Sequence, residues 1–404
     1  MRRVSDIEIR TLDEAQWRES LGLFRAALHA LPVTDEQWAV GRKSYEPGRT
    51  LGAFRGDTLA GTAFAWSSDL LVPGGGVLPM AAVTRVGVRS DQRRRGVLRE
   101  LMRHQLIDAA ERGEVFAALR PTEPVIYGRF GYGLATRGAK VVASPKNAAF
   151  RPEAPSGGQV RLVEPDEALA VMPGIYEREG RRRPGTIARP QYWWTVFYER
   201  AFAAAEHIIL AVHSGPTGDD GYLMYRPTQG AAPGTNATLA VEDFVATTPD
   251  ALYGLWRFLL GVDLVDEVTV WARPTDEPVE ELLVDSRAIT SRESRSDLWL
   301  RLVDVPRALA AREYGPGSVV IAVEDPLLPT NSGHYRITAD GATRTTAPAE
   351  LSLDVAVLAM LYLGTWRPQS LADVGRLREL VPGAAARADA VFAVREASWS
   401  GTFF

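Results

Sequence analysis

The run RRRGVL (residues 93–98) carries the clearest chemical indication in the sequence, because it places three arginines and a glycine directly before a predicted helix. The first backbone N–H groups of a helix have no partner inside it, and the helix dipole makes that end electropositive. A diphosphate bound there gains several hydrogen bonds, Gly96 permits close approach of the backbone, and Arg94 and Arg95 can pair with phosphate oxygens. The pattern also fits a solvated, charged helix start, and the residues alone leave both interpretations open.

The segments around this run predict the elements that hold it in place. Residues Ala82–Val88 alternate as a strand does, a helix is predicted from Val97 to Arg112, and Val115–Leu119 is a second apolar strand. This order predicts a parallel pair of strands joined across the helix. The run is not a P-loop, since G-x-x-x-x-G-K-[ST] is absent. It is not a dinucleotide fingerprint either, since only one of the three glycines is present.

Two other segments contain groups that could take part in chemistry. The stretch IYGRFGYG (residues 126–133) places Tyr127 and Tyr132 among three glycines, which permit backbone approach to a ligand, although a plain loop fits as well. The chain ends on SWSGTFF (residues 398–404), whereas most termini are polar. Burial of this apolar end would anchor the tail together with the α-carboxylate of Phe404. A tail that only packs on the surface is the alternative.

Composition limits the class of protein. The chain has 404 residues, 46% hydrophobic and 24% charged, which is ordinary for a globular protein of two or three domains. A net charge of −4 disfavours a general nucleic-acid binder, and the absence of cysteine excludes disulfides and thiolate nucleophiles. His207 and His213 are the only histidines close in sequence, and their spacing predicts no metal site. We expect no signal peptide, no transmembrane helix and a cytoplasmic location. Export without a signal peptide stays open as an alternative.

The pattern along the chain indicates three regions. The first reads β-α-α-β-β-β-α-β, in which Thr34 is a predicted helix cap with Gln37 as its partner. The second repeats the strand-turn-helix-strand plan, but its turn ATTPD (residues 246–250) has no glycine or arginine, and Asp250 would repel a diphosphate. From about Asp297 an antiparallel meander follows, with helices predicted at 353–363, 371–380 and 384–394.

The run at residues 93–98 resembles the acyl-CoA-binding motif of the GNAT N-acetyltransferases: Arg93 and Gly96 match, and Leu98 stands where Gly or Ala is usual. The longer string V-x-V-x-x-x-x-R-R-R-G-V-L-R, followed by IYGRFGYG, resembles the Eis family of aminoglycoside and lysine N-acetyltransferases along the whole chain. The resemblance implies an α/β (α+β) fold of tandem GNAT-like mixed sheets followed by a sterol-carrier-protein-like domain. It places the acetyl-CoA domain at 1–150, a degenerate GNAT-like domain at 151–292, and the sterol-carrier-like domain with a catalytic C-terminus at 293–404.

The resemblance also implies roles for individual residues. Tyr127 would donate a proton to the leaving sulfur, with Tyr132 as the fallback, and the C-terminal carboxylate of Phe404 would accept the proton of the amine. Trp38 and Thr84 are candidates for the acceptor pocket. The strand backbone of Val86, Gly87 and Val88 would pair with the pantetheine arm of CoA. The diphosphate would be surrounded by Arg94, Arg95, Gly96, Val97, Leu98 and Arg99. On the far side of CoA, contacts would come from Thr122 and from the backbone of Glu123.

The function implied is acetyl-CoA-dependent N-acetylation of primary amines of aminoglycosides or similar polyamines, at several positions. Acetyl-CoA is then the co-substrate, no metal is needed, and the partner is a small amine, not a nucleic acid or a membrane. The family resemblance implies a homohexamer. Two alternatives stay open: a protein lysine or polyamine N-acetyltransferase, and a non-catalytic carrier that binds an apolar ligand in the sterol-carrier-like domain.

Overall fold

The computed structural model describes residues 6–155, 157–180, 182–203, 207–230, 232 and 237–404. Residues 1–5, at the end where no signal peptide is expected, lie outside that set. The chain divides into two compact units. The first unit contains the described residues up to Thr136 together with Leu298–Ser398 and Thr402–Phe404, and the second contains Arg137–Asp297 and Trp399–Gly401.

The N-terminal part of the first unit has the predicted order of elements. Its helices begin at polar caps: the side chains of Asp13 and Thr34 each accept the backbone N–H three residues on, and Gln16 and Gln37 return the bond. The elements are β1 (Glu8–Thr11), α1 (Glu14–Ala27), α2 (Asp35–Gly41), β2 (Thr50–Arg55), β3 (Thr58–Leu71), β4 (Val77–Val88), α3 (Val97–Glu111), β5 (Phe116–Leu119) and β6 (Gly133–Leu134).

The C-terminal part of the first unit is a helical and antiparallel region. Its elements are β14 (Trp299–Leu302), α8 (Val305–Ala311), β15 (Ser318–Glu324), β16 (Gly333–Thr338), β17 (Gly341–Thr345), β18 (Leu351–Asp354), α9 (Val355–Tyr362), α10 (Pro368–Asp373), β19 (Arg378–Glu379) and α11 (Ala384–Phe392). Strands β15 to β19 form a sheet of order β17-β16-β15-β18-β19, and every residue of α9 is buried.

Two helix predictions in this part need correction. The helix predicted at 353–363 begins at Val355, because Leu351–Asp354 pairs with β15 and the Asp354 side chain accepts the N–H of Val357 at 2.8 Å. The helix predicted at 371–380 is wrong over its second half. Helix α10 ends at Asp373, and Arg378–Glu379 pairs with β18 instead. Strand pairing within this sheet decided both cases, and the local hydrophobic periodicity does not report it.

The large sheet of the first unit takes one strand from far along the chain. Its order is β1-β2-β3-β4-β5-β14-β6, so β14 lies between β5 and β6. Trp299 pairs with Leu119 on one side and with Leu134 on the other. This strand lies beyond Asp297, in the region that the sequence predicts to be a separate antiparallel meander. A four-residue strand does not reveal which sheet it completes.

The second unit repeats the parallel arrangement found in the first. Its elements are β7 (Arg137–Ala143), β8 (Gln159–Val163), α4 (Pro165–Ile175), α5 (Gln191–Trp194), α6 (Arg200–Ala203), β9 (Ile209–Gly215), β10 (Gly218–Thr228), β11 (Ala237–Ala246), α7 (Pro249–Leu260), β12 (Val265–Arg273) and β13 (Ile289–Ser296). The sheet has the order β13-β7-β12-β11-β10-β9-β8, and β11 pairs in parallel with β12 across α7. Two π-helical turns, Tyr176–Gly180 and Thr195–Glu199, adjoin the helices.

The boundaries between the two compact units lie after Thr136 and after Asp297, whereas the predicted domains end after residues 150 and 292. A compact unit need not coincide with a family domain, so the three-domain division at 1–150, 151–292 and 293–404 stays a prediction. Within the part of the chain that the structure describes, no helix has the length and apolar character needed to cross a membrane.

Candidate active site

Strands β4 and β5 separate at the centre of the large sheet of the first unit. They pair in parallel only through Met80–Ala82 and Phe116–Ala118, whereas β4 runs on to Val88 and β5 ends at Leu119. We call the opening beyond Ala82 and Ala118 the strand fork. On its β5 side, β4 pairs with no further strand among the described residues. An extended pantetheine arm can therefore add to this edge, where Val86, Gly87 and Val88 were expected to bind it.

The start of α3 has the features of an anion site. Gly96 is the N-cap, with φ 91°, and no side chain caps the first turn. A residue with a Cβ is strained at that angle, which explains the glycine. Arg94 and Arg95 are exposed, and Arg94 also has positive φ, at 61°. Neither Arg93 nor Arg94 forms an ion pair with a described residue. The uncapped N–H groups and the exposed cations fit a diphosphate.

The other residues expected at the diphosphate have different environments. Val97 is buried, with 1% of its surface exposed, and Leu98 packs against the hydrophobic cluster beside the fork. Both can offer only backbone N–H groups to a phosphate. Arg99 is exposed and forms an ion pair with Glu100 at 3.3 Å. The roles of these residues remain predictions.

Tyr127 lies between two short 3₁₀ turns, Pro124–Ile126 and Gly128–Phe130. It packs against the same cluster as Val86 and Leu98, whose buried members include Leu119 of β5. Burial, with a smaller effect from the negative charge of Glu123, raises the pKa of Tyr127 to about 12. The hydroxyl therefore keeps its proton at neutral pH, and the side chain is partly exposed, so a bound ligand can reach it.

The fallback residue, Tyr132, occupies a closed environment. Its ring lies 6.0 Å from that of Tyr127, edge to face, and only 1% of the residue is exposed. Burial raises the pKa of Tyr132 strongly, and its buried hydroxyl has no hydrogen-bond partner among the described residues. Of the two tyrosines, Tyr127 is the one that a substrate at the fork can reach.

Thr122 and Glu123 lie in the exposed loop after β5. The negative charge of Glu123 contributes to the raised pKa of Tyr127. A carboxylate beside phosphates would be repelled, which is why a backbone contact is expected of Glu123. The contacts of Thr122 and Glu123 with CoA stay predictions.

The end of the chain is held beside β5 by a residue that the sequence analysis did not single out. Arg120 directly follows the last residue of β5, and its Nη1 donates to the backbone carbonyl of Thr402 at 2.8 Å. The guanidinium also lies 5.3 Å from the ring centroid of Phe403. Thr402 is fully buried and Phe404 is 7% exposed, so the tail is anchored beside the end of β5.

The preceding tail residues have their own contacts within the second unit. The N–H of Trp399 donates to the Pro184 carbonyl at 2.8 Å, and the N–H groups of Ser400 and Gly401 donate to Asp297 Oδ2 at 2.9 and 3.3 Å. Gly401 has φ 63°, and a Cβ there would clash with the Trp399 ring. Only glycine fits this position.

An aromatic cluster lies on β3, on the helices α1 and α2 and on the segment that follows α2, and Arg85 of β4 stands against it. Thr84 and Arg85 lie on β4 at a bulge opposite β3, and Arg85 has φ 52°. The Arg85 guanidinium stands 4.3 Å from the Tyr45 ring, and Nη2 donates to Ser44 Oγ at 2.7 Å. Trp38, an expected pocket residue, lies 5.7 Å from Tyr45. The cluster comprises Trp17, Trp38, Tyr45, Phe64 and Trp66.

Sequence reasoning missed the role of Arg85, although an arginine inside the alternating apolar strand AVTRVGV was an available indication. A cation within an apolar strand needs a partner, and here aromatic faces supply it. No comparable local pattern pointed to Arg120.

The equivalent helix start in the second unit is already capped. The Thr248 side chain accepts the N–H of Ala251 at 3.0 Å and donates to Asp220 Oδ2 at 2.9 Å. Asp250 adds a negative charge to the first turn of α7. A capped, acidic helix start does not favour a diphosphate, in contrast to the start of α3.

Comparison with known proteins agrees with this fold. Models of the acetyltransferase (GNAT) domain match residues 8–135 and 185–302, and a sterol carrier protein domain model matches residues 305–401. The molecule is therefore an N-acetyltransferase of GNAT type, with two GNAT domains and a sterol-carrier-like C-terminal part. The predicted fold class is confirmed.

Similar proteins define the family more narrowly. An uncharacterized N-acetyltransferase of Streptomyces avermitilis is 36% identical over 406 residues, covering 97% of this chain and 98% of its own length. N-acetyltransferase Eis of Mycobacterium tuberculosis is 36% identical over 364 residues, 85% of each chain. The crystal structure of Eis1 from Mycobacterium abscessus has a TM-score of 0.87 and 37% identity, covering 98% of this chain and 100% of its own. The chain belongs to the Eis family of N-acetyltransferases, as the sequence predicted.

Proposed function

We propose that this N-acetyltransferase transfers the acetyl group of acetyl-CoA to primary amines, and that aminoglycosides and similar polyamines are its acceptors. The observation that carries the donor part is the strand fork beside the uncapped start of α3. Proteins with the GNAT fold generally use acetyl-CoA, and the first GNAT match covers both features. The residues that would hold the donor are those of the β4 edge and of the run at 93–98.

The chemistry required of the protein follows from the reaction. Acetyl-CoA, when bound, supplies an activated acetyl thioester. The amine nitrogen must be uncharged to form the new C–N bond, so the ammonium proton must first leave. In our proposal the Phe404 carboxylate accepts that proton, directly or through water. A C-terminal carboxyl group has an ordinary pKa of about 3.3–3.7 and is ionised at neutral pH.

The second proton transfer concerns the leaving group. As the C–S bond breaks, negative charge develops on sulfur, and the Tyr127 hydroxyl donates its proton there in this proposal. The second proton of the amine nitrogen, which leaves as the amide forms, then restores the Tyr127 hydroxyl, directly or through water. Two features support the assignment: the hydroxyl is protonated at neutral pH, and Tyr127 packs in the cluster that also contains Val86 at the β4 edge. The thioester carbon, the amine and both protein groups would then meet at the strand fork.

The acceptor class rests on the family resemblance and on charge. A net charge of −4 favours the approach of a polycation. One observation favours the lysine part of the second candidate function, the alternative of a protein lysine or polyamine N-acetyltransferase. Arg85 is a fixed cation within the aromatic cluster that includes Trp38, and it would repel a densely charged acceptor placed against these rings.

The test is an acetyl-CoA consumption assay on the purified protein, following release of the free CoA thiol. Aminoglycosides, linear polyamines and lysine peptides are compared at equal concentration. Faster turnover of aminoglycosides supports the first proposal, and faster turnover of lysine peptides replaces it with the second. Absence of thiol release with every amine would contradict acetyl-CoA-dependent transfer to these acceptors.

A further inference from the structure

We propose that Arg120 is the positioning residue for the chain terminus, fixing the Phe404 carboxylate at the strand fork so that it can receive the proton of the acceptor amine. This inference deepens the proposed function and rests on it. The observations that carry it are the contacts of Arg120 with Thr402 and Phe403 and the burial of the last residues.

The backbone that carries Arg120 is held in place by the sheet. Arg120 directly follows Leu119, which is 3% exposed and pairs with Trp299 of β14. The backbone before Arg120 is therefore held within the sheet, at the end of the shorter arm of the fork. A side chain mounted there has a fixed origin, which a loop residue would lack.

The contacts of Arg120 control the direction of the tail. Nη1 donates to the Thr402 carbonyl at 2.8 Å, and the same guanidinium stands 5.3 Å from the centroid of the Phe403 ring. Arginine can do both, because its planar group donates in the plane and presents a face to an aromatic ring. Since Phe404 follows Thr402 by two residues, a fixed Thr402 limits the reach of the carboxylate to about 7 Å.

The charge of Arg120 adds to this geometric effect. A guanidinium close to the end of the chain favours an ionised carboxylate over a neutral one. The Phe404 side chain is buried while Phe403 is 63% exposed, so the tail is seated by its last side chain and by Thr402. Loss of Arg120 removes one of the anchors of the final three residues, and the carboxylate loses its fixed position.

The test compares three variants of the full-length protein. Arg120→Met removes the cation at similar length, and Arg120→Lys restores a charge and a donor. The matched control is Arg307→Met, because Arg307 Nη1 also donates to a backbone carbonyl, that of Gly113 at 3.0 Å, away from the tail. Thermal unfolding of each variant shows that it is folded.

Two readouts are used. The first is steady-state transfer to an amine: we expect Arg120→Met to lower kcat by about 10- to 100-fold, with the KM for acetyl-CoA within about twofold, and Arg120→Lys to recover part of it. The second is the rate at which a carboxypeptidase releases Phe404, which needs no catalytic activity. Release is expected to be slow in the wild type and in Arg307→Met, and faster in Arg120→Met.

The outcomes separate the inference from the proposed function. Wild-type kcat in Arg120→Met overturns the inference, whether or not the tail is released faster. If kcat falls in Arg120→Lys and in Arg307→Met as much as in Arg120→Met, the inference is also overturned, because the loss would then be a general structural effect. If the wild type transfers no acetyl group, the proposed function fails, and the carboxypeptidase rates alone decide whether Arg120 holds the tail. If Arg120→Met does not fold, Arg120→Lys carries the test through its kcat and its Phe404 release rate.

Discussion

At the scale of residues, the site separates two tyrosines that the sequence alone treats alike. Tyr127 and Tyr132 are five residues apart in one glycine-rich stretch, and their rings are in edge-to-face contact. Tyr132 is buried in the core, whereas Tyr127 is partly exposed and packs against the hydrophobic cluster that includes Leu119 of β5. A proton donor must reach the sulfur, so accessibility favours Tyr127.

The first prediction concerns the hydroxyl of Tyr127. Tyr127→Phe removes the proposed proton donor and keeps the ring, so we expect kcat to fall by about 100-fold or more, with the KM for acetyl-CoA within about twofold. Tyr253→Phe, at a partly buried position in the second unit, serves as the control and keeps wild-type kcat. Steady-state kinetics with saturating amine measure both. Unchanged turnover in Tyr127→Phe would remove Tyr127 from the mechanism.

The second prediction concerns pH. Burial and Glu123 raise the pKa of Tyr127 to about 12, so its active, protonated form persists to higher pH than that of an ordinary tyrosine. At about pH 10.5 an ordinary tyrosine is mostly ionised, whereas Tyr127 stays protonated. The phenolate absorbance of the wild type minus that of Tyr127→Phe measures this directly. A difference signal that appears with a midpoint near pH 10 would contradict the burial effect.

The same shift has a consequence for stability. Because the folded-state pKa is raised, the unfolded chain loses the proton of this tyrosine first as pH rises above about 10. Folding is then disfavoured progressively between the ordinary pKa and the raised one. Well below pH 10, Tyr127 adds no pH dependence to the free energy of unfolding, because it is protonated in both the folded and the unfolded state.

At the scale of elements, the tail depends on one turn that only glycine can form. Gly401 has φ 63° and lies against the Trp399 ring. An alanine there meets both strain, about 1–3 kcal/mol, and a steric clash. The tail before Thr402 must therefore shift if this position changes.

The third prediction follows from that turn. We expect Gly401→Ala to lower kcat by about tenfold or more, because the displaced tail no longer presents its carboxylate at the fork. Gly56→Ala is the matched control, since Gly56 has φ 57° but open space around its Cβ position. It carries the same kind of backbone strain without the clash. Equal kcat in the two variants would show that the turn at Gly401 does not position the terminus.

The sequence predicted the elements of the fork well, because alternation along β4 and the basic turn before α3 are local patterns. It could not predict that Arg120 holds Thr402, since 282 residues separate them and the local sequence around Arg120 indicates no partner. The extent of α10 was also beyond local information, because Arg378 and Glu379 pair with β18 at a sheet edge. The identities of the expected CoA contacts came from family resemblance, and their roles stay predictions.

At the scale of the whole molecule, the first unit is assembled from both ends of the chain. Strand β14 lies between β5 and β6, and its residues Leu300, Arg301 and Leu302 are fully buried. Arg301 forms an ion pair with Asp325 at 2.7 Å, and its Nε donates to the Phe130 carbonyl at 2.9 Å. The turn that follows Tyr127 thus depends on a residue of the C-terminal part. The expected hexamer stays a prediction.

The fourth prediction follows from this assembly. A fragment of residues 1–150 contains the whole predicted acetyl-CoA domain but lacks β14, so the edges of β5 and β6 are left open. We expect it to aggregate or to lack cooperative thermal unfolding, whereas the full chain unfolds cooperatively. Size-exclusion chromatography and circular dichroism measure both. A soluble, cooperatively folded fragment would show that β14 is dispensable.

The most direct measurement of the central claim is kcat after displacement of the terminal carboxylate. Extension of the chain by one glycine after Phe404 moves the carboxylate by about 3.5 Å, whereas Phe404→Leu changes the side chain and leaves the carboxylate in place. If this group accepts the amine proton at the strand fork, the extended chain loses about 100-fold in kcat at an unchanged KM for acetyl-CoA, and Phe404→Leu keeps most activity. Wild-type turnover by the extended chain would contradict the account.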